Sequence, residues 1–317
     1  MSDAVNANAA GGAAISQSRR DVLGFDVHTL HIGPCRVHRI ADMDRVKWPA
    51  TAMFRAMTGE ALARAAANTP AGMIDVAEEG LLLSFNSYVI ETPQSLALVD
   101  TGIGNDKDRP DRPRWHMRTS KFLDALAEMS FTPDRFDVII NTHLHADHVG
   151  WNTVLENGAW VPAFPRARYV TPEGELAHWS KLYASKGVET LHGAYADSVA
   201  PLVDLGRLEA VATPDEIAPG ITLEPAHGHS PGMAVVRLKA EGTEVLFLAD
   251  AVHHPLQLND PETTSNFCEN PAMANAARRR LLDDCVARGT IVAPYHFPTP
   301  VFGRFERAGA GYTYVPL

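Results

Sequence analysis

The apolar positions of this 317-residue chain change their spacing several times, and each change marks an element. From residue 27, "VHTLHIG", Pro34 and "RVHRIADM" read as strand, turn, strand. Residues 50–70 are Ala-rich and read as helix. "LLLSFNSYVIET" and "SLALVDTGIG" are two strands joined by a turn at Pro93. Residues 105–121, "NDKDRPDRPRWHMRTSK", are polar, broken by proline and rich in both charges, which makes them a loop. In "FLDALAEM", Leu123, Leu126 and Met129 lie along one stripe of an amphipathic helix. "FDVIINTH" is an apolar run of the kind a strand buried on both faces requires.

The second half repeats the theme. "EGELAHWSKLYAS" and "YADSVAPLVDL" read as helices, the second interrupted by Pro201. "ITLEPAHGHSPGMAVVRLKAEGTEVLFLAD" reads as strand, loop, strand, turn, strand. "NPAMANAARRRLLDDCVARG" is a helix, opened by Asn270 and Pro271 as cap and first turn and closed by Gly289. "TIVAPYH" is a last buried strand. Strands, then helix and strand, then the same again imply an α/β protein of two sheets with helices outside them. Residues 27–317 form one such domain, and the Ala/Asn/Gly/Ser-rich start, residues 1–26, is expected to be disordered.

Composition narrows the partners. The chain is 45% hydrophobic and 21% charged with a net charge of −10, which argues against nucleic acid or an anionic membrane surface. No apolar run approaches the roughly 18 residues of a membrane span. Cys35, Cys268 and Cys285 are odd in number and widely spaced, fitting a reducing compartment and offering no thiolate metal cluster. "SRRD" before "VLGF" has the start of a twin-arginine export signal, but Asp26, His28 and His31 interrupt the apolar stretch it needs, so cytoplasm is expected.

One stretch fits neither period. In "NTHLHADHVGWN", His143, His145, Asp147 and His148 stand at i, i+2, i+4 and i+5 at the end of a buried strand. Imidazole and carboxylate at such spacing are the ligand set of borderline transition metals such as zinc. Four residues do not complete a two-metal site, so further lone ligands are expected at strand ends. "AHGHSPG" supplies His229, "VLFLAD" supplies Asp250 and "IVAPYH" supplies His296. A buried strand that ends in a lone carboxylate or imidazole is costly unless the group is paired or ligated.

The motifs "DTG" at Asp100, "HLHADH" at 143–148, "GHSPG" around His229, "AD" at Asp250 and "YH" at His296 resemble the metallo-β-lactamase superfamily, from about residue 27 onward. The resemblance implies an αβ/βα four-layer sandwich with the metal site at one edge of the two sheets. It implies one divalent metal, most readily Zn2+, on His143, His145 and His229, and a second on Asp147, His148 and His296, with Asp250 bridging. Asp100 would hold the loop beneath. "HADH", the second aspartate and the ending "GAGYTYVPL" are similar to the lactonase and methyl-parathion-hydrolase branch, which is often dimeric. A homodimer is expected on that ground and on the apolar surface of residues 173–204.

Two departures stand out: Met233 replaces a histidine of the family loop, and His253, followed by His254, stands where many lactonases place a substrate-donating tyrosine. The expected activity is hydrolysis of a small neutral ester or lactone by a metal-bridging hydroxide, with Asp147 orienting it and His253 donating to the leaving group. The pair His253 and His254 capping a strand end is the alternative. Competing electrophiles are a phosphotriester and an activated chloroaromatic; β-lactam cleavage and iron-dependent oxidation on the same fold stand further off.

Overall fold

The computed structural model describes residues 14–317. The chain opens with β1 (Ile15–Val22), β2 (Phe25–Ile32) and β3 (Cys35–Pro49), followed by short helices α1 (Ala50–Met53) and α2 (Gly59–Ala67). Next come β4 (Ile74–Asp75), β5 (Gly80–Glu91), β6 (Leu96–Val99), α3 (Phe122–Glu128) and β7 (Val138–Ile140). A small hairpin, β8 (Thr153–Glu156) and β9 (Ala159–Pro162), precedes β10 (Arg168–Pro172), α4 (Glu173–Lys186), α5 (Ala200–Asp204) and β11 (Leu208–Val211). The second half holds β12 (Asp215–Ala218), β13 (Ile221–Pro225), β14 (Ala234–Ala240) and β15 (Thr243–Phe247). It ends with α6 (Leu256–Asn259), α7 (Pro271–Arg288), β16 (Ile291–Ala293), β17 (Gly303–Ala308) and β18 (Gly311–Pro316).

These strands make two large sheets. The first runs β1-β2-β3-β5-β6-β7-β10-β11, with β4 added on β5, and turns parallel from β6 onward. The second runs β12 to β18 in order, with β15 and β16 parallel. The apolar runs explain the layers, because successive side chains point to opposite faces. Ile90, Val99, Ile140 and Val170 face the second sheet and meet Val236, Val245, Phe247 and Ile291. Their neighbours Val89, Leu98, Ile139 and Tyr169 face outward beneath α3, packing on Phe122 and Leu126. On the far side Val235, Leu246 and Val292 face Leu281, Leu282 and Cys285 of α7. The result is the four-layer αβ/βα sandwich, each sheet covered outside by a helical layer. No described helix is long and apolar enough to cross a membrane.

Several local expectations change. The segment 1–26 was expected to be disordered, but Ile15–Val22 is a strand paired along its length with Phe25–Ile32; residues 1–13 lie outside the described residues. The Ala-rich stretch 50–70 is two short helices, because Phe54 turns extended after α1. "YADSVAPLVDL" begins as a wide π-type turn over Tyr195–Val199 and becomes α-helical only at Ala200, with Pro201 in the first turn, where its missing N–H costs nothing. Trp179, Tyr195, Val199 and Leu202, part of the apolar surface expected to lie beyond the sandwich, are buried within it.

The loop after β6 packs directly on the turn after β7. Thr101 N–H donates to His148 O at 2.7 Å and Gly150 N–H to Gly102 O at 2.8 Å. A Cβ on Gly150 would sit 1.9 Å from the Ile103 carbonyl carbon, so only glycine lets the two backbones meet. Gly150→Ala is therefore expected to destabilise the fold by about 3 kcal/mol, a cost of backbone displacement, measured by urea unfolding. A loss of a few tenths of a kcal/mol would show that the contact yields freely.

Candidate metal centre

The candidate ligands reach one place because each follows a strand running the same way. Asp100 follows β6, residues 141–148 follow β7, His229 lies after β13, Asp250 after β15 and His296 after β16. Two groups form. Ligand atoms of His143, His145, His229 and Asp250 lie within 4.8 Å of one another, and so do those of Asp147, His148 and His296.

Asp250 stands between them. Its Oδ2 is 3.1 Å from His229 Nε2 and 3.8 Å from His143 Nε2, while its Oδ1 is 3.3 Å from both His148 Nε2 and His296 Nε2. Asp147 Oδ2 lies 3.7 Å from His148 Nε2 and 3.6 Å from His296 Nε2. Left-handed backbone at Ala249 (φ 45°) turns the chain sharply just before Asp250.

Each imidazole is oriented from behind. Asp100, itself left-handed at φ 54°, accepts from His148 Nδ1 at 2.9 Å and from Thr142 N–H at 2.9 Å. The strain of a non-glycine residue there is held by those bonds. His296 Nδ1 donates to Ser84 O at 3.1 Å, and its loop is clamped by Asn86 Nδ2, which donates to Pro294 O and Phe297 O. Tyr295 stacks on His148, ring centroids 3.8 Å apart, and its hydroxyl donates to Asp147 O. His229 Nδ1 lies 3.7 Å from Cys268 Sγ, and its Nε2 lies 2.9 Å from His145 Nδ1. Sequence reasoning did not find Tyr295, Thr142, Ser84 or Asn86 as supports; no local pattern distinguishes them from ordinary strand and loop residues.

Several ligand-type atoms of the site stand without a partner. His143 Nε2, His148 Nε2 and Asp250 Oδ1 are buried without a hydrogen-bond partner, although native interiors satisfy nearly all such atoms. Burial would raise the Asp250 carboxyl, but the imidazoles of His296, His148, His253 and His229 outweigh it and hold it well below the usual carboxylate range. Burial pushes His143 down, with the neighbouring imidazoles adding to it. Against burial, Asp250, Asp100 and Asp147 draw His148 well above its ordinary value, and Asp250 chiefly draws His229 up to about 10. Orphaned imidazole nitrogens and a carboxylate oxygen aimed at one space, in a field that attracts cations, fit divalent metal in both groups.

His253 is neither a solvated loop residue nor a strand-end cap. It is buried between His229 and His296, with Nε2 3.3 Å from Asp250 Oδ2 and no hydrogen bond on either ring nitrogen. Burial pushes it down to about 3, although the neighbouring Asp250 pulls the other way. Met233 is buried in the apolar layer under α7, leaving nothing polar unpaired where the family loop carries histidine.

A cavity of about 520 Å3 opens onto the cluster, the size of a small-ligand site. Trp48, Phe85 and Trp115 form one wall, with centroids 5.8–6.4 Å apart, and Phe85 meets His296 edge-on at 5.1 Å. Arg112, Lys186, Glu189 and Glu269 also line it, and with Asp147 and Asp250 the carboxylates outnumber the cations by four to two. Loop 105–121 is thereby part of the site. It is pinned to the segment after α4 by Arg109, which holds the buried Asp197 through two bonds of 2.6 and 2.9 Å.

Sandwich, ligand groups and supports together define a class of protein: metal-dependent hydrolases with a two-sheet αβ/βα core. The chain matches the model of the metallo-beta-lactamase superfamily over residues 82–300 and belongs to that family. It is 28% identical to a probable metallo-hydrolase of Mycobacterium tuberculosis over 230 residues, 63% of this chain and 70% of that protein. It is 23% identical to the N-acyl homoserine lactonase of Bacillus cereus over 204 residues, 60% of this chain and 73% of the other. Among solved structures, the hydrolase AbOPH of the beta lactamase superfamily has a TM-score of 0.74 at 22% identity, covering 92% of this chain and 97% of that one. The dizinc quorum-quenching lactonase AidC has a TM-score of 0.73 at 17% identity, covering 96% and 98%.

His254, beside His253, is structural. It is buried, donates Nε2–H to Met73 O at 3.1 Å and accepts Leu256 N–H at Nδ1, which leaves no room for a second proton. Burial pushes its pKa from 6.5 down to about 4. The unfolded chain therefore binds that proton more tightly, and stability present above about pH 6.5 is lost as pH falls towards 4. Between pH 7 and pH 5, His254→Gln should lose about 2 kcal/mol less stability than the parent in urea titrations. Equal acid losses in the two proteins would show that His254 charges freely in the fold.

Proposed function

We propose that this chain hydrolyses small neutral esters, above all lactones, with two divalent ions, most readily zinc. His143, His145 and His229 would hold one, Asp147, His148 and His296 the other, and Asp250 both. The observation that carries this reading is the pair of ligand groups meeting at Asp250 on the floor of an aromatic-walled cavity. When bound, such ions acidify water and polarise an acceptor oxygen, so no Ser or Cys nucleophile is required.

The chain's own residues supply the rest. Asp147 lines the cavity while Tyr295 fixes its backbone carbonyl, so its carboxylate is placed to orient water, take its proton and return it to the leaving oxygen. His253 lies on the cavity lining against Asp250, with Nε2 3.3 Å from Oδ2. Trp48, Phe85 and Trp115 exclude water from one side and offer apolar area to an acyl or aryl group. The lining sets four carboxylates, Asp147, Glu189, Asp250 and Glu269, against two cations, Arg112 and Lys186, which disfavours a polyanion.

Elemental analysis of active protein is expected to find about two divalent ions per chain, removable with a strong chelator together with activity. Asp147→Ala and Asp250→Ala should each leave less than a tenth of the parent's turnover with an unchanged circular dichroism spectrum. Metal-poor active protein, or either variant above a tenth, contradicts the assignment. The substrate panel should contain lactones, phosphotriesters, chloroaromatics and a β-lactam; preference for any class but the first redirects the reading to that electrophile.

The aromatic wall generates a separate expectation. Trp115→Ala should reduce kcat/KM roughly tenfold for a lactone with a long acyl chain and much less for its short-chain analogue, in proportion to apolar area lost. Equal losses for both would remove the wall from substrate recognition.

A further inference from the structure

Glu175, in the first turn of α4, is completely buried and accepts four hydrogen bonds, all from neutral donors. Its Oε1 takes Leu144 N–H at 3.1 Å, Trp179 Nε1–H at 2.6 Å and Ser230 Oγ–H at 2.5 Å. Its Oε2 takes Gly232 N–H at 2.9 Å. Four donors occupy the acceptor capacity of a carboxylate, so the group is satisfied where an unsatisfied charge would be untenable.

The donors come from three separate places. Leu144 sits between His143 and His145 on the turn after β7 of the first sheet. Ser230 and Gly232 flank the loop of His229 after β13 of the second sheet. Trp179 belongs to the cavity wall and meets His145 edge-on with centroids 5.7 Å apart. Glu175 is thus a joint between the sheets beneath the contact of His145 with His229. The chain permits the approach by omission of a side chain: a Cβ on Gly232 would lie 2.0 Å from Glu175 N. The other ligand group is held differently, by Asp100 behind His148 and by Ser84 behind His296.

We infer that Glu175 is a positioning residue for one ligand group only. It sets the placing of His145 against His229 and hence the affinity of the His143, His145 and His229 group for a divalent ion, while the Asp147, His148 and His296 group is independent of it. This rests on the two-ion reading above. Residues that orient metal ligands typically change affinity by ten- to a hundredfold when altered.

Glu175→Gln tests it. The amide must point its NH2 at one set of donors, and turning it to Gly232 N–H sacrifices one of the two bonds to the His229 loop while keeping those from Leu144, Trp179 and Ser230. Metal-free protein is titrated with zinc against a chromophoric chelator, and with cobalt(II) followed by its visible absorption. The expected result is one ion bound as in the parent, the other at least tenfold more weakly, and loss of one component of the cobalt spectrum. A general structural role would instead weaken both ions alike or lower only the urea midpoint of the metal-free protein. Either result, or two affinities unchanged, overturns the inference. If Glu175→Gln does not fold, Ser230→Ala, which removes one donor, is judged by the same criteria with a smaller shift. A parent that binds fewer than two ions defeats the two-ion reading itself, which separates that failure from this one.

Discussion

Asp250 is surrounded by imidazoles. Its two oxygens lie within 3.8 Å of ring nitrogens from His143, His148, His229, His253 and His296. Such a carboxylate stays ionised only because the surrounding groups favour its charge, and the imidazoles stay together only because it does. A site of this kind is poorly compensated on its own and is completed by cations. The rest of the molecule follows from the need to bring those residues, from four strand ends, to one point.

The scaffold meets that need with backbone contacts that tolerate no side chain. Gly150 lets the loop after β6 lie on the turn after β7, and Gly232 lets the His229 loop lie on the start of α4. Left-handed Asp100 and Ala249 bend the chain where a strand delivers a carboxylate. Two hydrogen-bonded carboxylates, Asp100 and Glu175, then join the segments that these contacts bring close.

Over that floor the chain builds a wall from segments that look unrelated in sequence. Trp48 ends β3, Phe85 lies within β5, Trp115 belongs to the polar loop 105–121, and Trp179 lies on α4. The Arg109–Asp197 pair ties that loop to the segment after α4, so the wall is one packed surface. The candidate ligands at the strand ends form the floor of the cavity, and this assembled cover forms its wall.

Sequence alone determined what depends on local order. The apolar runs of β5, β6, β7, β15 and β16 could only be buried strands, and the cap-and-glycine frame of 270–289 could only be a helix. Histidine and aspartate at strand ends named the candidate ligands, since such groups have no other low-cost place there. Tertiary structure alone decided the rest. His253 is a buried imidazole against Asp250, and His254 a structural one, because burial is a property of what packs around a residue and not of its neighbours in the chain. Glu175 looks like any acid at a helix start until Leu144, Ser230 and Gly232 arrive from two different sheets. The segment of β1 reads as a disordered tail because an edge strand exposed on both faces carries no apolar alternation; only its hydrogen bonds to β2 make it a strand.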